Sequence, residues 1–216
     1  MRGFSDKLYY ASDFIMKIAY LNILWMVFTI LGGVILGWAP STIALFNVVR
    51  NWIKDEKDQS FFNTFWTTYK KEFLKANALG AIILIVGYIL SVNLQFILQQ
   101  SGIGFFALRI FTLIIMFICF CALLIIFPMY VQYELPFLQY FNKAVMIGFV
   151  KPVWTIILVI GFSVSSFILL TLPGLIPFFG ISFSSYLIMS IAFQTFHSLE
   201  KHVDDDKTTD KNLQIS

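Results

Sequence analysis

The sequence predicts an all-α membrane protein, a polytopic helical bundle of about six passes with an amphipathic cytoplasmic helix. Hydrophobic residues make up 59% of the chain and charged residues only 12%, whereas a soluble domain carries charge on about a quarter of its residues. Several long stretches are free of charge, and the first covers residues 18–49. Because unpaired backbone groups are costly in lipid, we expect each crossing to be a helix within a single membrane domain, 1–216.

The first charge-free run is predicted to cross the membrane twice. A helix spans about 30 Å of hydrocarbon with roughly 20 residues, so this run is too long for one upright pass and short for two. Gly37 and Pro40 predict a break within it, because proline is tolerated in the first turn of a new helix. We therefore expect an N-terminal segment 1–17, a first pass over 18–37 and a second over 40–53, which is short or re-entrant.

Three further charge-free regions supply the other passes. The predicted passes are 77–98, 110–133, 153–172 and 176–197. The last two are separated by the sequence LPGLIP at residues 172–177, where proline and glycine indicate a turn. The segment 134–151 is expected to lie at the inner interface, and residues 198–216 form a polar tail.

The positions of lysine and arginine orient this bundle. With six passes, only Arg109 of the 15 basic residues lies outside. With five passes, the better orientation leaves Arg2, Lys7, Lys17 and Arg109 outside. The preference of basic residues for the cytoplasmic side favours six passes and places both termini in the cytoplasm.

The segment 54–75 is the main predicted cytoplasmic feature. Aromatic residues recur in it at helical spacing, beside three lysines. The candidate interfacial or partner residues are Phe62, Phe65, Trp66, Tyr69, Lys70, Lys71, Phe73 and Lys75. Such a helix anchors the protein to lipid headgroups, and the alternative is that it also docks a partner protein.

The sequence offers no catalytic set. Signatures of phosphate loops, zinc peptidases and Cys/His clusters are missing, so we expect no catalytic, metal or cofactor-binding residues, and no enzyme activity. The net charge of +3 gives no reason to expect nucleic acid as a partner. The candidate intramembrane polar residues are Asn22, Asn47, Asn93 and Gln95. Hydrogen bonding between helices is the simpler role for each, and lining of a solute path is the alternative.

Two regions resemble the YesL-like family of bacterial integral membrane proteins of unknown function. They are LNILW at 21–25 with GWAPSTIALF at 37–46, and FFNTFWTTYKKEF at 61–73. The resemblance implies a role beside sugar uptake, because the genes of this family commonly accompany carbohydrate ABC transporters. It therefore favours a small accessory or regulatory membrane protein that contacts lipid, a transporter permease or a second copy of itself. The alternatives are a small-solute transporter or channel subunit and, third, a membrane-embedded enzyme.

The predicted orientation can be tested with reporter fusions. A cytoplasm-active and an exterior-active reporter would each be fused after Met1 and after Ser216. We expect both positions to report the cytoplasm, because this arrangement leaves only Arg109 outside. Signals from opposite sides of the membrane would show that the chain crosses an odd number of times.

Overall fold

The computed structural model describes residues 2–55 and 60–213, and these ranges contain helices and no strand. The elements are α1 (Arg2–Leu31), α2 (Trp38–Ile53), α3 (Phe61–Leu98), α4 (Ile103–Gln132), α5 (Gln139–Val150), α6 (Pro152–Thr171) and α7 (Ile176–Leu213), with a 3-10 turn at Pro173–Leu175. Within the described ranges, five spans are long and apolar enough to cross a membrane. The prediction of an all-α membrane bundle is confirmed.

The first charge-free run breaks as the sequence predicts. α1 ends at Leu31, residues 32–37 form a turn, and α2 begins at Trp38. Pro40 is the third residue of α2, where its missing N–H leaves no helical hydrogen bond unmade. The turn is tight, with Gly33 and Val34 at positive φ. α1 itself begins at Arg2, so the segment predicted to precede the first pass is helical and continuous with it.

α2 lies at the centre of the bundle. It packs against α1, α3, α4 and α7, and its residues 39–46, 48 and 49 are buried. Its 16 residues give about 24 Å of helix, less than the thickness of the hydrocarbon. Because protein rather than lipid covers it, this short helix keeps polar groups that have partners on its neighbours. One example is Thr42, whose hydroxyl accepts a hydrogen bond from the Trp25 indole at 3.0 Å.

α3 differs from its predicted division into a cytoplasmic segment 54–75 and a pass 77–98. It is one helix of 38 residues, about 57 Å long. Residues 74–78 contain neither proline nor glycine. The side chain of Asn77 bonds to the Phe73 carbonyl one turn earlier, at 2.8 Å. Nothing in this stretch therefore ends a helix, and the amphipathic part runs directly into the apolar part.

The last three helices complete the bundle. α5 falls between Pro136 and Pro152, within the segment predicted to be interfacial, and packs along α4. α6 and α7 are joined by the predicted turn and by a hydrogen bond between the Ser165 and Ser184 hydroxyls, 2.8 Å apart. α7 continues to Leu213, so the predicted polar tail is helical as far as that residue.

Several helix ends meet at one end of the bundle. We call it the charged end, because Lys17 lies over the Trp52 ring there and Lys54 lies over the Phe193 ring. There the Trp52 ring near the end of α2 lies 5.5 Å from Phe14 of α1 and 5.8 Å from Phe61 of α3. The ring of Tyr133, directly after α4, lies 5.3 Å from Phe196 of α7. The first residues of α1 and the C-terminal half of α7 therefore share this end.

Asn22 joins α1 to α7 through both polar atoms of its side chain. Its amide oxygen accepts from the backbone N–H groups of Ile181 and Ser182 at 3.0 and 3.2 Å. Its amide nitrogen donates to the carbonyls of Ile176 and Pro177 at 3.3 and 2.7 Å. The residue is only 2% exposed. It therefore supplies hydrogen-bond partners to the first turns of α7 inside the bundle.

Replacing Asn22 with alanine should destabilise the protein. The change removes bonds to four backbone groups at the start of α7, of which the Ser182 N–H is buried. Leaving a buried group without its bond costs about 1–3 kcal/mol. Asn93→Ala is the matched control, because the exposed Asn93 accepts one bond, from Thr112 at 3.3 Å. We expect that control to cost about 0.6 kcal/mol. Thermal unfolding in detergent would measure both, and equal losses would contradict the role assigned to Asn22.

Gly37→Ala should also destabilise the fold. A Cβ at this position would collide with the backbone of Thr29, including its carbonyl oxygen, where the chain turns from α1 into α2. Forcing these backbones apart should cost about 1–3 kcal/mol. Gly87→Ala serves as control, since no atom lies within 4 Å of its added Cβ. The control should unfold at the same or a higher temperature; a comparable drop in both variants would show that the turn is not tightly packed.

Candidate functional site

A polar cleft lies between α2, α3, α4 and the chain that leads from α4 into α5. Its volume is about 1470 Å³, above the roughly 300–1,000 Å³ usual for small-molecule pockets. Charged, amide and hydroxyl side chains dominate its lining. Those that the argument uses are Asn47, Arg50, Thr68, Glu72, Tyr130 and Gln132.

Arg50 is the central cation of this cleft. It occupies the last turn of α2, where a positive charge is favoured by the helix dipole. Its Nε donates to the Gln132 side-chain oxygen at 3.1 Å, and one terminal nitrogen donates to the Asn47 oxygen at 3.4 Å. The residue is half-buried. Both acceptors are neutral amide oxygens, so these two contacts do not compensate the positive charge of the guanidinium.

A chain of hydrogen bonds fixes the groups around Arg50. Asn47 donates from its amide nitrogen to the Thr68 hydroxyl at 2.8 Å, and Thr68 donates in turn to the Thr64 carbonyl at 2.8 Å. These bonds join α2 to α3 and turn the Asn47 oxygen toward Arg50. With Gln132 at the end of α4, three helices position one guanidinium.

The opposite wall carries a carboxylate that already has partners. The Tyr130 hydroxyl donates to Glu72 at 2.7 Å, and the Lys71 ammonium lies 3.9 Å from the other Glu72 oxygen. The Tyr140 hydroxyl donates to the Tyr133 carbonyl at 2.8 Å and accepts from the Leu135 N–H at 3.0 Å. These bonds fix the segment that connects α4 to α5, and this segment forms one side of the cleft.

The four predicted intramembrane polar residues do not line one cavity. Asn47 lines the cleft, whereas Asn22 bonds to α7 and Asn93 is exposed beside Thr112 of α4. Gln95 is exposed on α3. A solute path built from all four, which a transporter or channel subunit would require, is therefore not formed.

The predicted aromatic and basic residues of α3 divide into three groups. Phe65 and Tyr69 are buried, with Phe28 of α1 at 5.1 and 5.2 Å, and Phe73 packs beside Tyr69. Lys71 and Lys75 line the cleft. The exposed group is Phe62, Trp66 and Lys70, which we call the α3 patch. Lys71 and Lys75 are exposed as well but line the cleft, so the α3 patch is the exposed part of the predicted surface that lies outside the cleft.

Sequence reasoning missed the cleft itself. Arg50, Glu72, Tyr130 and Gln132 come from three helices and are brought together by packing. Their one common signal is position, since each lies at or near the end of a long apolar run.

As for metals, the described ranges hold no group of three or more His, Cys, Asp or Glu side chains suited to an ion. The cleft provides donors, acceptors and positive charge for recognition of a polar ligand.

Comparison with known proteins identifies the family of this chain. Residues 18–94 match the family model described as "Protein of unknown function, DUF624". Three similar proteins come from Bacillus subtilis (strain 168). "Uncharacterized protein YesV" is 40% identical over 91% of this chain and 94% of its own length. "Uncharacterized protein YteU" is 34% identical over 88% of this chain and 85% of its own length. "Uncharacterized protein YesL" is 27% identical over 89% of this chain and 91% of its own length.

No solved structure matches the chain. The identity and coverage of these relatives, together with the helical membrane fold, confirm the resemblance seen in the sequence. The chain belongs to the YesL-like DUF624 family of proteins of unknown function.

Proposed function

We propose that the protein is an accessory or regulatory partner of a carbohydrate ABC transporter in the bacterial plasma membrane, and not an enzyme. In this proposal the charged end faces the cytoplasm and the permease subunit of the transporter is the direct partner. The α3 patch is the observation that carries the proposal. The link to carbohydrate transport comes from the gene association that the family resemblance implies.

The α3 patch has the chemistry of a protein-binding surface. Trp66 is 38% exposed and Phe62 is 42% exposed. The Lys70 ammonium lies 4.5 Å above the Trp66 ring, a cation–π contact that holds both side chains in place. Exposed aromatic residues beside a cation resemble the few residues that supply most of the free energy in protein interfaces. The buried Phe65 and Tyr69 fix the turns of α3 that carry them.

The rest of α3 extends this surface along the membrane. Of residues 81–118, which comprise the second half of α3 and the first half of α4, only Ile97 and Thr112 are buried. One helix thus carries the α3 patch at the charged end and an apolar surface beyond it. A polytopic permease can contact both parts, whereas a cytoplasmic partner can contact only the first.

A solute-binding subunit is the second candidate, and the polar cleft favours it. Asn47 lines the cleft as that function requires. The separate positions of Asn22, Asn93 and Gln95 count against a path through the bundle. We therefore propose that the cleft recognises a ligand, and the accessory role remains the leading proposal.

Affinity purification of the full chain in mild detergent tests this proposal. We expect the permease of a carbohydrate ABC transporter to co-purify with the tagged protein from its native membranes. The double variant Trp66→Ala, Lys70→Gln should reduce its recovery about tenfold, because it removes an exposed aromatic anchor together with its cation. Phe65 is left unchanged, since its ring is fully buried and its loss would disturb the fold.

The control for this experiment is the double variant Lys143→Gln, Phe149→Ala. It removes the same kinds of side chain from exposed positions on α5. Recovery of the permease should match that of the unchanged protein. Failure of any permease to co-purify would contradict the proposed partnership, and equal recovery with both double variants would exclude the α3 patch as the docking surface.

A further inference from the structure

We propose that the polar cleft binds an anionic ligand, a molecule with a carboxylate or phosphate group, and that the Arg50 guanidinium receives this group. The proposal concerns a binding site and does not depend on the transporter partnership. It is carried by the partners of Arg50, the rigidity of its surroundings and the distribution of charge in the cleft.

The first argument is the pairing of Arg50. Ionisable side chains in membrane proteins normally pair with one another or with backbone carbonyls, because an uncompensated charge is costly away from water. In the described ranges, no carboxylate lies within 4.0 Å of this guanidinium, and its bonds are to the amide oxygens of Gln132 and Asn47. Two of its five N–H groups are used there. The other donors of the planar fork can form the paired hydrogen bonds that carboxylates and phosphates accept.

The second argument is that the guanidinium is already held in place. Asn47 is fixed by Thr68, and Gln132 ends the long helix α4. A ligand that binds here does not have to order the arginine, so little affinity is lost to conformational entropy. Arrangements of this kind are typical of residues that bind rather than of surface arginines, which move freely.

The third argument is the charge around the cleft. Among the described residues that line the cleft, Arg50, Lys71 and Lys75 are cations, and Glu72 and Glu134 are carboxylates. Glu72 is engaged by Tyr130 and lies near Lys71, so it competes weakly for Arg50. The excess of positive charge attracts an anion toward the opening.

The size and the remaining lining describe the rest of the ligand. The cleft, at about 1470 Å³, is far larger than one phosphate or carboxylate group. Asn63, Thr64 and Thr67 add amide and hydroxyl groups on the α3 side. The expected ligand therefore has a polar body attached to its acidic group. Both a soluble sugar acid or sugar phosphate and the headgroup of an anionic lipid have this chemistry.

Binding can be measured with the full chain in phosphatidylcholine nanodiscs. The soluble probes are glucose 6-phosphate, glucuronate and inorganic phosphate, with glucose as the neutral counterpart. We expect the anionic sugars to bind in isothermal titration and glucose not to bind. Arg50→Gln should weaken binding about tenfold or more, because it removes both the charge and the fork. Lys143→Gln, an exposed cation outside the cleft, should leave binding unchanged.

A second variant separates binding from a structural role of Arg50. Gln132→Glu keeps the shape of the side chain and places a carboxylate where the Arg50 Nε now donates to an amide oxygen. If Arg50 only joins α2 to α4, this change strengthens the contact and alters nothing else. If Arg50 receives an anion, the new carboxylate competes with it. We expect anion binding to fall about tenfold while the unfolding temperature is kept or raised.

The lipid source is tested in nanodiscs that contain phosphatidylglycerol. Native mass spectrometry would count the phosphatidylglycerol molecules retained by each variant. One outcome is that phosphatidylglycerol is retained only when Arg50 is present, is retained less by Gln132→Glu, and the soluble probes do not bind. That outcome would assign the site to a lipid headgroup. Arg50-dependent binding of the soluble probes would assign it to a soluble anion. The proposal would be overturned if the unchanged protein neither bound the soluble probes nor retained phosphatidylglycerol. It would also be overturned if Gln132→Glu bound as strongly as the unchanged protein.

Discussion

The burial of α2 is the constraint on which the rest of the structure depends. This helix is too short to cross the hydrocarbon by itself, and a short helix in contact with lipid would leave its ends in an apolar medium. Four other helices surround it and remove that problem. The same packing stabilises Thr42, Asn47 and Arg50 on α2, because each finds a partner on a neighbouring helix. The polar cleft exists because its central helix is covered by protein.

The features that the sequence predicts correctly depend on local composition. Gly37 and Pro40 mark the break between α1 and α2, and Pro136 and Pro152 bound α5, since both residue types restrict the backbone wherever they occur. The sequence does not indicate that the predicted cytoplasmic segment 54–75 and the pass 77–98 share one helix, for the complementary reason. A change from polar to apolar residues alters what surrounds a helix, but without proline or glycine it does not end one. The backbone of α3 therefore continues from its polar part into its apolar part.

The roles of the polar residues could not be predicted in this way, because their partners are distant in the chain. Asn22 and Asn47 look alike in sequence, each being an asparagine within the same charge-free run. Asn22 meets the start of α7, about 155 residues later, and serves its backbone. Asn47 meets Thr68 and Arg50 and serves the cleft. Which of the two roles a buried amide takes is decided by helix packing, and periodicity contains no information about it.

α3 connects the α3 patch and the cleft, the two surfaces for which a function is proposed. Successive residues of a helix point about 100° apart, so Lys70 and Lys71 leave the same turn in different directions. Lys70 lies over Trp66 in the α3 patch, and Lys71 lines the cleft beside Glu72. Between them the buried Phe65 and Tyr69 fix that turn against α1. The two surfaces are therefore joined by continuous helix rather than a loop, so any displacement of this turn would move the α3 patch and this side of the cleft together.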